Sequence, residues 1–145
     1  MSRIAFRWVA ALAMLVSAFL LQAAPASASI VAKVDIATQS MTIIVDGSVA
    51  AVWKVSTARR GYVTPRGVYR AQGMALMHYS RKYDNSPMPH SVFFRGGYAI
   101  HGTYHVKALG RPASHGCVRL APGNAAALYN LIRQHGRGDT RIIIS

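Results

Sequence analysis

The sequence predicts a mainly β domain of the β-rich α+β class, with one clear helix. Three observations carry that expectation. Short runs rich in β-branched residues recur between turn signals, helical apolar spacing occurs once, near the C-terminus, and the length leaves room for a single domain. Residues 1–28 read as a signal peptide: Arg3 and Arg7 precede an apolar stretch from Trp8 to Leu21, and small residues follow. Ala26-Ser27-Ala28 is an A-x-A site, so cleavage is expected before Ser29, with Ala24-Pro25-Ala26 as the second choice. An apolar core of about fourteen residues is short for a membrane span, which needs about twenty. The expected product is therefore an exported domain, residues 29–145, with no transmembrane segment after cleavage.

Within that domain "IVAKVDIA" and "MTIIVDG" read as two strands parted by the polar "TQS" and ended by the turn signal Asp46-Gly47, which makes a hairpin. "VAAVWKVSTA" continues the sheet. "RRGYVTPRG" supplies glycine, proline and paired arginines that suit a loop, and "GVYRAQGMAL" resumes as a strand. From His78 to Pro89 apolar periodicity fails, which predicts an exposed loop. "SVFFRGGYAIHG" reads as a hairpin turning at Gly96-Gly97, with Phe94 and Ile100 on the buried face. Pro122-Gly123-Asn124 opens a helix whose apolar residues Ala126, Leu128, Leu131 and Ile132 recur at helical spacing, Gly136 ends it, and "TRIIIS" closes the chain as a strand.

Charge is lopsided. With Arg3 and Arg7 in the leader, fifteen Lys and Arg face Asp35, Asp46, Asp84 and Asp139, a net +11, and there is no glutamate. Such a field favours anionic partners. For an exported protein these are wall polymers or membrane surfaces rather than nucleic acid, although scattered cations also serve solubility. No run of five like charges marks a basic tail.

The one cysteine, Cys117, lies in "ASHGCVRL". A lone cysteine is most often a small buried hydrophobe. In an exporting compartment, however, cysteines pair, and a single one leaves intermolecular bonding or a reactive thiol. His115 and Arg119 flank it, and cationic neighbours lower a thiol pKa, so Cys117 is expected to alkylate faster than a model thiol. Gly116 permits a tight turn in which the Gly116 and Cys117 amides face a developing oxyanion. A nucleophile also needs a base within reach, and His101, ending the strand "YAIHG", is the better placed candidate because a return of the chain brings it alongside. A zinc set of His101, His105, His115 and Cys117 is the rival, but its spacing fits no zinc pattern, and no metal is expected. His78, His90 and His135 read as solvated or capping residues.

"HGTYHVKALGRPASHGCVRL" resembles the signature of the L,D-transpeptidase catalytic domain, or YkuD domain: a His-Gly, a spacer, then Ser/Thr-His-Gly-Cys, a hydrophobic residue and Asn or Arg. "VSTARRGYVTPRGVYRA" is similar to the family's strand, loop and Thr-Pro-x-Gly element, and "MPHSVFFRGGYAIHG" to the segment leading into its His-Gly. The resemblance covers almost all of residues 29–145. It implies a β-sandwich with the helix after the cysteine, Cys117 as nucleophile and His101 as base. It also implies a backbone carbonyl near Gly102 that orients the imidazole, a site shaped by Ser114, His115 and Gly116, and Arg119 positioning the site or a substrate carboxylate. Arg66 in the Thr-Pro-x-Gly turn and His90 in place of an aromatic are departures that bear on substrate fit.

The reaction so implied starts with attack of Cys117 on the carbonyl before the terminal D-residue of a peptidoglycan stem tetrapeptide. D-alanine leaves and a thioester remains. An amine of another stem peptide then gives a 3→3 cross-link, an amine of a wall-anchored protein gives anchoring, and water gives a carboxypeptidase. No cofactor is implied. The setting is the periplasm or cell wall, and the family's frequent wall-binding modules have no counterpart here, which leaves the basic surface as the expected means of targeting. The rival from another class is a non-catalytic wall-polymer binder of the same fold.

Overall fold

A computed structural model of the chain describes residues 29–145, so the leader expected at residues 1–28 lies outside the described residues. Strands β1 (Ile30–Asp35), β2 (Ser40–Val45) and β3 (Ser48–Lys54) form an antiparallel meander. Alternation explains its two faces: Ile30, Ala32, Val34, Met41 and Ile43 are buried, and the residues between them turn outward. Asp46 and Gly47 both take positive φ, 49° and 82°, as the tightest hairpin turn requires. The last strand, β9 (Thr140–Ile144), runs parallel to β1, and β4 (Gly67–Arg70) pairs with it to complete a sheet of order β3-β2-β1-β9-β4.

The second sheet has the order β5-β6-β7-β8, from β5 (Gly73–Ser80), β6 (Ser86–Arg95), β7 (Tyr98–Gly102) and β8 (Val118–Leu120). Helix α1 (Pro122–His135) lies against β6 and β7 and touches β1. One core joins the inner faces of both sheets to the helix, with Phe94, Ile100, Leu120, Leu128, Ile132 and Ile142 among its fully buried side chains. Each such side chain contributes about 1.5–3 kcal/mol through burial. Among the described residues no helix is long and apolar enough to cross a membrane.

Four local expectations change. The chain leaves the first sheet after Lys54, and Ser56 and Ala58 instead form isolated bridges to Arg119 and Ser114. "GVYRAQGMAL" is two strands in different sheets, because the chain crosses between them at Ala71-Gln72. Residues 78–89 are the outer end of a hairpin. It turns at Asp84-Asn85, both at φ 51°, a conformation that short polar side chains tolerate. Apolar periodicity fails there because the hairpin projects past the core, leaving Leu76, Met77 and Tyr79 exposed. In α1 the buried stripe is Ala125, Leu128, Tyr129 and Ile132, while Ala126 and Leu131 sit half-buried at its margin.

Candidate active site

β7 and β8 run parallel with His101 directly opposite Arg119 and Ile100 opposite Val118. Ile100, Val118 and Leu120 enter the core. Strand alternation therefore turns His101, Arg119 and, two residues before it, Cys117 to the other face. All three line one cavity of about 1100 Å³. The short β8, which the sequence pattern did not suggest, is thus what brings two residues sixteen positions apart onto one surface.

A buried polar scaffold fixes the cysteine from behind. The Ser56 and Arg119 backbones exchange hydrogen bonds of 3.0 and 2.9 Å, and the Ala113 and Ser114 amides both donate to the Thr57 carbonyl at 2.9 Å. Gln39 holds Thr57 in turn, accepting from its amide at 2.9 Å and donating to its hydroxyl at 2.6 Å. Ser114 Oγ donates to the Cys117 carbonyl at 2.6 Å and accepts the Gly116 amide at 3.0 Å. Thr64 Oγ1 donates to the Gly116 carbonyl at 2.8 Å while accepting the Ala58 amide. Only glycine fits at 116: its φ is 132°, and a Cβ there would lie 2.6 Å from the Tyr98 ring and 2.9 Å from the Val63 carbonyl.

His101 is almost fully buried, and its Nδ1 lies 2.6 Å from the Gly102 carbonyl. A carbonyl only accepts, so Nδ1 carries the hydrogen and Nε2 keeps its lone pair. Burial pushes the imidazole down to about 4; the Gly102 carbonyl opposes this, and the Arg119 charge adds to it. Burial also raises the Cys117 thiol, against a backbone hydrogen bond from Ala99 and the charge of Arg119. The expectation of a thiol acidified by its cationic neighbours is therefore corrected, because desolvation outweighs Arg119. Both members of the pair rest neutral. Sγ makes a long contact of 3.8 Å to the Gly97 carbonyl.

The remaining candidates divide. Gly102 packs tightly, with a Cβ there 3.0 Å from Pro89, and its carbonyl is the one that holds His101. The Gly116 amide, expected to face an oxyanion, is committed to Ser114 Oγ. Arg119 is half-buried on the cavity face and donates to the Ala113 carbonyl at 3.4 Å. His115 stands at the mouth, stacked on Tyr83 with ring centroids 4.1 Å apart and met edge-on by Tyr62 at 4.7 Å. His105 lines the cavity from an exposed loop before the 3₁₀ turn Val106–Ala108. Among the described residues no three His, Cys, Asp or Glu side chains converge to hold a metal ion. Of the other histidines, His78 lines the cavity, its ring edge-on to Phe93, and His90 meets Tyr129. Sequence reasoning missed Gln39, Ser56, Thr57 and Thr64. No local signal marked them, because their partners lie far away in the sequence: Thr57 and Ser56 bond to residues 111–119, and Thr64 to Gly116.

The profile of the YkuD L,D-transpeptidase catalytic domain matches residues 29–144. Among solved structures, an L,D-transpeptidase from Mycobacterium smegmatis is 26% identical with a TM-score of 0.72, over 81% of this chain and 59% of that one. An L,D-transpeptidase from Xylanimonas cellulosilytica is 29% identical with a TM-score of 0.65, over 84% and 63%. One from Stackebrandtia nassauensis is 25% identical with a TM-score of 0.69, over 81% and 55%. The chain thus spans less than two thirds of the length of these structures. No curated relative matches it. A β-rich fold of two sheets and one helix, a cysteine and a histidine on one cavity face, and a profile match across nearly all described residues lead to one conclusion: the chain belongs to the L,D-transpeptidase catalytic domain (YkuD) family.

Proposed function

We propose that residues 29–145 form an exported cysteine acyltransferase that works on peptidoglycan stem peptides in the periplasm or cell wall. The observation that carries this reading is the shared cavity face of Cys117 and His101, with the imidazole tautomer set by the Gly102 carbonyl. Sγ attacks the carbonyl before the terminal D-residue as its proton passes to His101 Nε2. General-base transfer of this kind contributes about 10²–10⁴-fold. The Cys117 and His115 amides receive the oxyanion, since the Gly116 amide is engaged. Collapse breaks the C–N bond, His101 returns the proton to the leaving amine, and D-alanine departs. The thioester then meets an amine, which gives its proton to Nε2 as the new amide forms, and the proton returns to Sγ. Arg119 positions the site or a substrate carboxylate. The acceptor is an amine of a second stem peptide, which yields a 3→3 cross-link.

Incubation of the domain with disaccharide-tetrapeptide tests this, with products followed by mass spectrometry. Free D-alanine and a cross-linked dimer are expected, because an amine held beside the thioester outcompetes water through proximity. Cys117→Ala should abolish both. D-alanine without dimer would replace the cross-linking step with carboxypeptidase activity. A dimer formed only when a wall-anchored protein supplies the amine would make the domain an anchoring enzyme. Unchanged substrate together with wall binding would overturn the acyl-transfer reading in favour of a polymer binder.

A further inference from the structure

The mouth of the cavity holds a feature the acyl-transfer chemistry leaves unused. Tyr62, His115 and Tyr83 form a row of rings contributed by three different loops: the His115 ring lies nearly parallel to Tyr83, at 11°, and Tyr62 meets it at 71°. A cation stands over each outer ring. The Arg59 guanidinium is 5.1 Å from the Tyr62 centroid, and the Lys82 ammonium is 5.4 Å from that of Tyr83. Contacts of this kind hold a cation over a ring face while leaving its N–H donors free for another partner. All five residues line the cavity, whose lining also includes Arg81 and Arg119 but no aspartate or glutamate. Arg59, Arg119 and Lys82 each oppose protonation of His115, in addition to the effect of its burial, which places all three charges within range of one ring. Arg119 faces Cys117 and His101 from β8, whereas Arg59 and Lys82 are exposed at the rim.

We infer that Arg59 and Lys82, braced by the Tyr62–His115–Tyr83 row, form a carboxylate-binding subsite that selects donor stem peptides carrying a free carboxylate on the N-terminal side of the reacting carbonyl. The inference rests on the acyl-transfer reading. A γ-linked D-glutamyl residue leaves its α-carboxylate free, and a diamino acid brings a second carboxylate; amidation removes either charge without altering the backbone. Two cations over rings, with no acid in the cavity lining, hold a carboxylate through charge-assisted hydrogen bonds. The subsite thus sets donor affinity and takes no part in bond breaking.

The test compares two tetrapeptide donors, one with both of these carboxylates free and one with both amidated, by the steady-state release of D-alanine. The wild-type domain should show a KM about tenfold lower for the free acid, with kcat nearly equal, since a rim contact binds ground and transition states alike. The doubly substituted Arg59→Gln, Lys82→Gln protein should raise KM for the free acid and bring the two donors to parity. Arg59→Lys with Lys82→Arg should keep the preference. Added salt should shrink it. Equal KM values for the two donors in the wild type, or an undiminished preference in the double Gln variant, would overturn the subsite while leaving acyl transfer intact. Release of D-alanine from neither donor by the wild type would overturn the acyl-transfer reading and this inference with it.

Discussion

The floor and the mouth of the cavity are built from opposite materials. The floor is sheet: β7 carries His101 and Cys117 immediately precedes β8, on a surface whose reverse side is core, and the loop between the strands is pinned through Ser56, Thr57, Thr64 and Ser114. The mouth is loop: Tyr62, Tyr83 and His115 meet near solvent, joined by ring contacts and flanked by Arg59 and Lys82. Burial governs the floor, where it keeps both titrating groups neutral. Charge governs the mouth. On the proposed mechanism, bond making belongs to the buried, hydrogen-bonded floor and recognition to the exposed rim, so a substitution should disturb one without the other.

The largest expected effect is on the floor. His101→Gln should lower kcat/KM by about 10²–10⁴-fold with little change in KM, as expected for loss of a general base. The wild-type pH profile sharpens the point. The base works only when neutral, and its pKa lies at about 4, so activity should persist through mildly acidic pH and fall only as pH drops through about 4. An acid limb at the ordinary histidine value of 6.5 would contradict the neutral resting pair. Alkylation by iodoacetamide at neutral pH should run slower than that of a model thiol, since burial raises Cys117.

A smaller effect is on stability. An unfolded chain holds a proton on His101 below 6.5, whereas the folded chain accepts it only near 4. Between those values the unfolded state binds more protons, so folding stability is full above 6.5 and falls as pH drops toward 4. The two-and-a-half-unit gap caps this contribution at about 3 kcal/mol. Urea unfolding of the wild type and of His101→Gln at a series of pH values reads it directly. The wild-type curve should slope through that window and the variant's should be flatter; parallel curves would mean His101 is not held neutral by burial.

The same contrast decides what the sequence reveals. The meander was legible because β-branched alternation and Asp46-Gly47 report burial and a turn at short range. Chemistry and motif singled out Cys117 and His101, which line one cavity, and alternation singled out Phe94 and Ile100, whose side chains are both buried. The scaffold was not. The bonds of Thr57 and Ser56 to the cysteine loop span more than fifty residues, and no local pattern marks a polar residue that is satisfied so far away. The β5–β6 hairpin was hidden for a different reason: a strand pair with little core beneath it has no apolar alternation to read, although Asp84-Asn85 carried a turn signal. Sequence near the cysteine likewise suggested an acidified thiol, because charge is visible in letters and desolvation is not.

The smallest expected effect is at the mouth, where Tyr83→Ala removes the ring stacked on His115 and the face beneath Lys82. Offset aromatic pairs contribute about 0.5–1.5 kcal/mol, and this one lies near solvent at a hairpin turn, so urea unfolding should register a loss of less than about 1 kcal/mol. A floor substitution is the natural comparison: Ile100→Ala empties a fully buried site and should cost about 2–5 kcal/mol. The Cys117 alkylation rate in Tyr83→Ala should stay within a few-fold of wild type, because the cysteine loop is held by Ser114 and Thr64 and not by Tyr83. Stability losses of similar size in the two variants would mean that the hairpin turn is part of the structural core, and the division between floor and mouth would have to be abandoned.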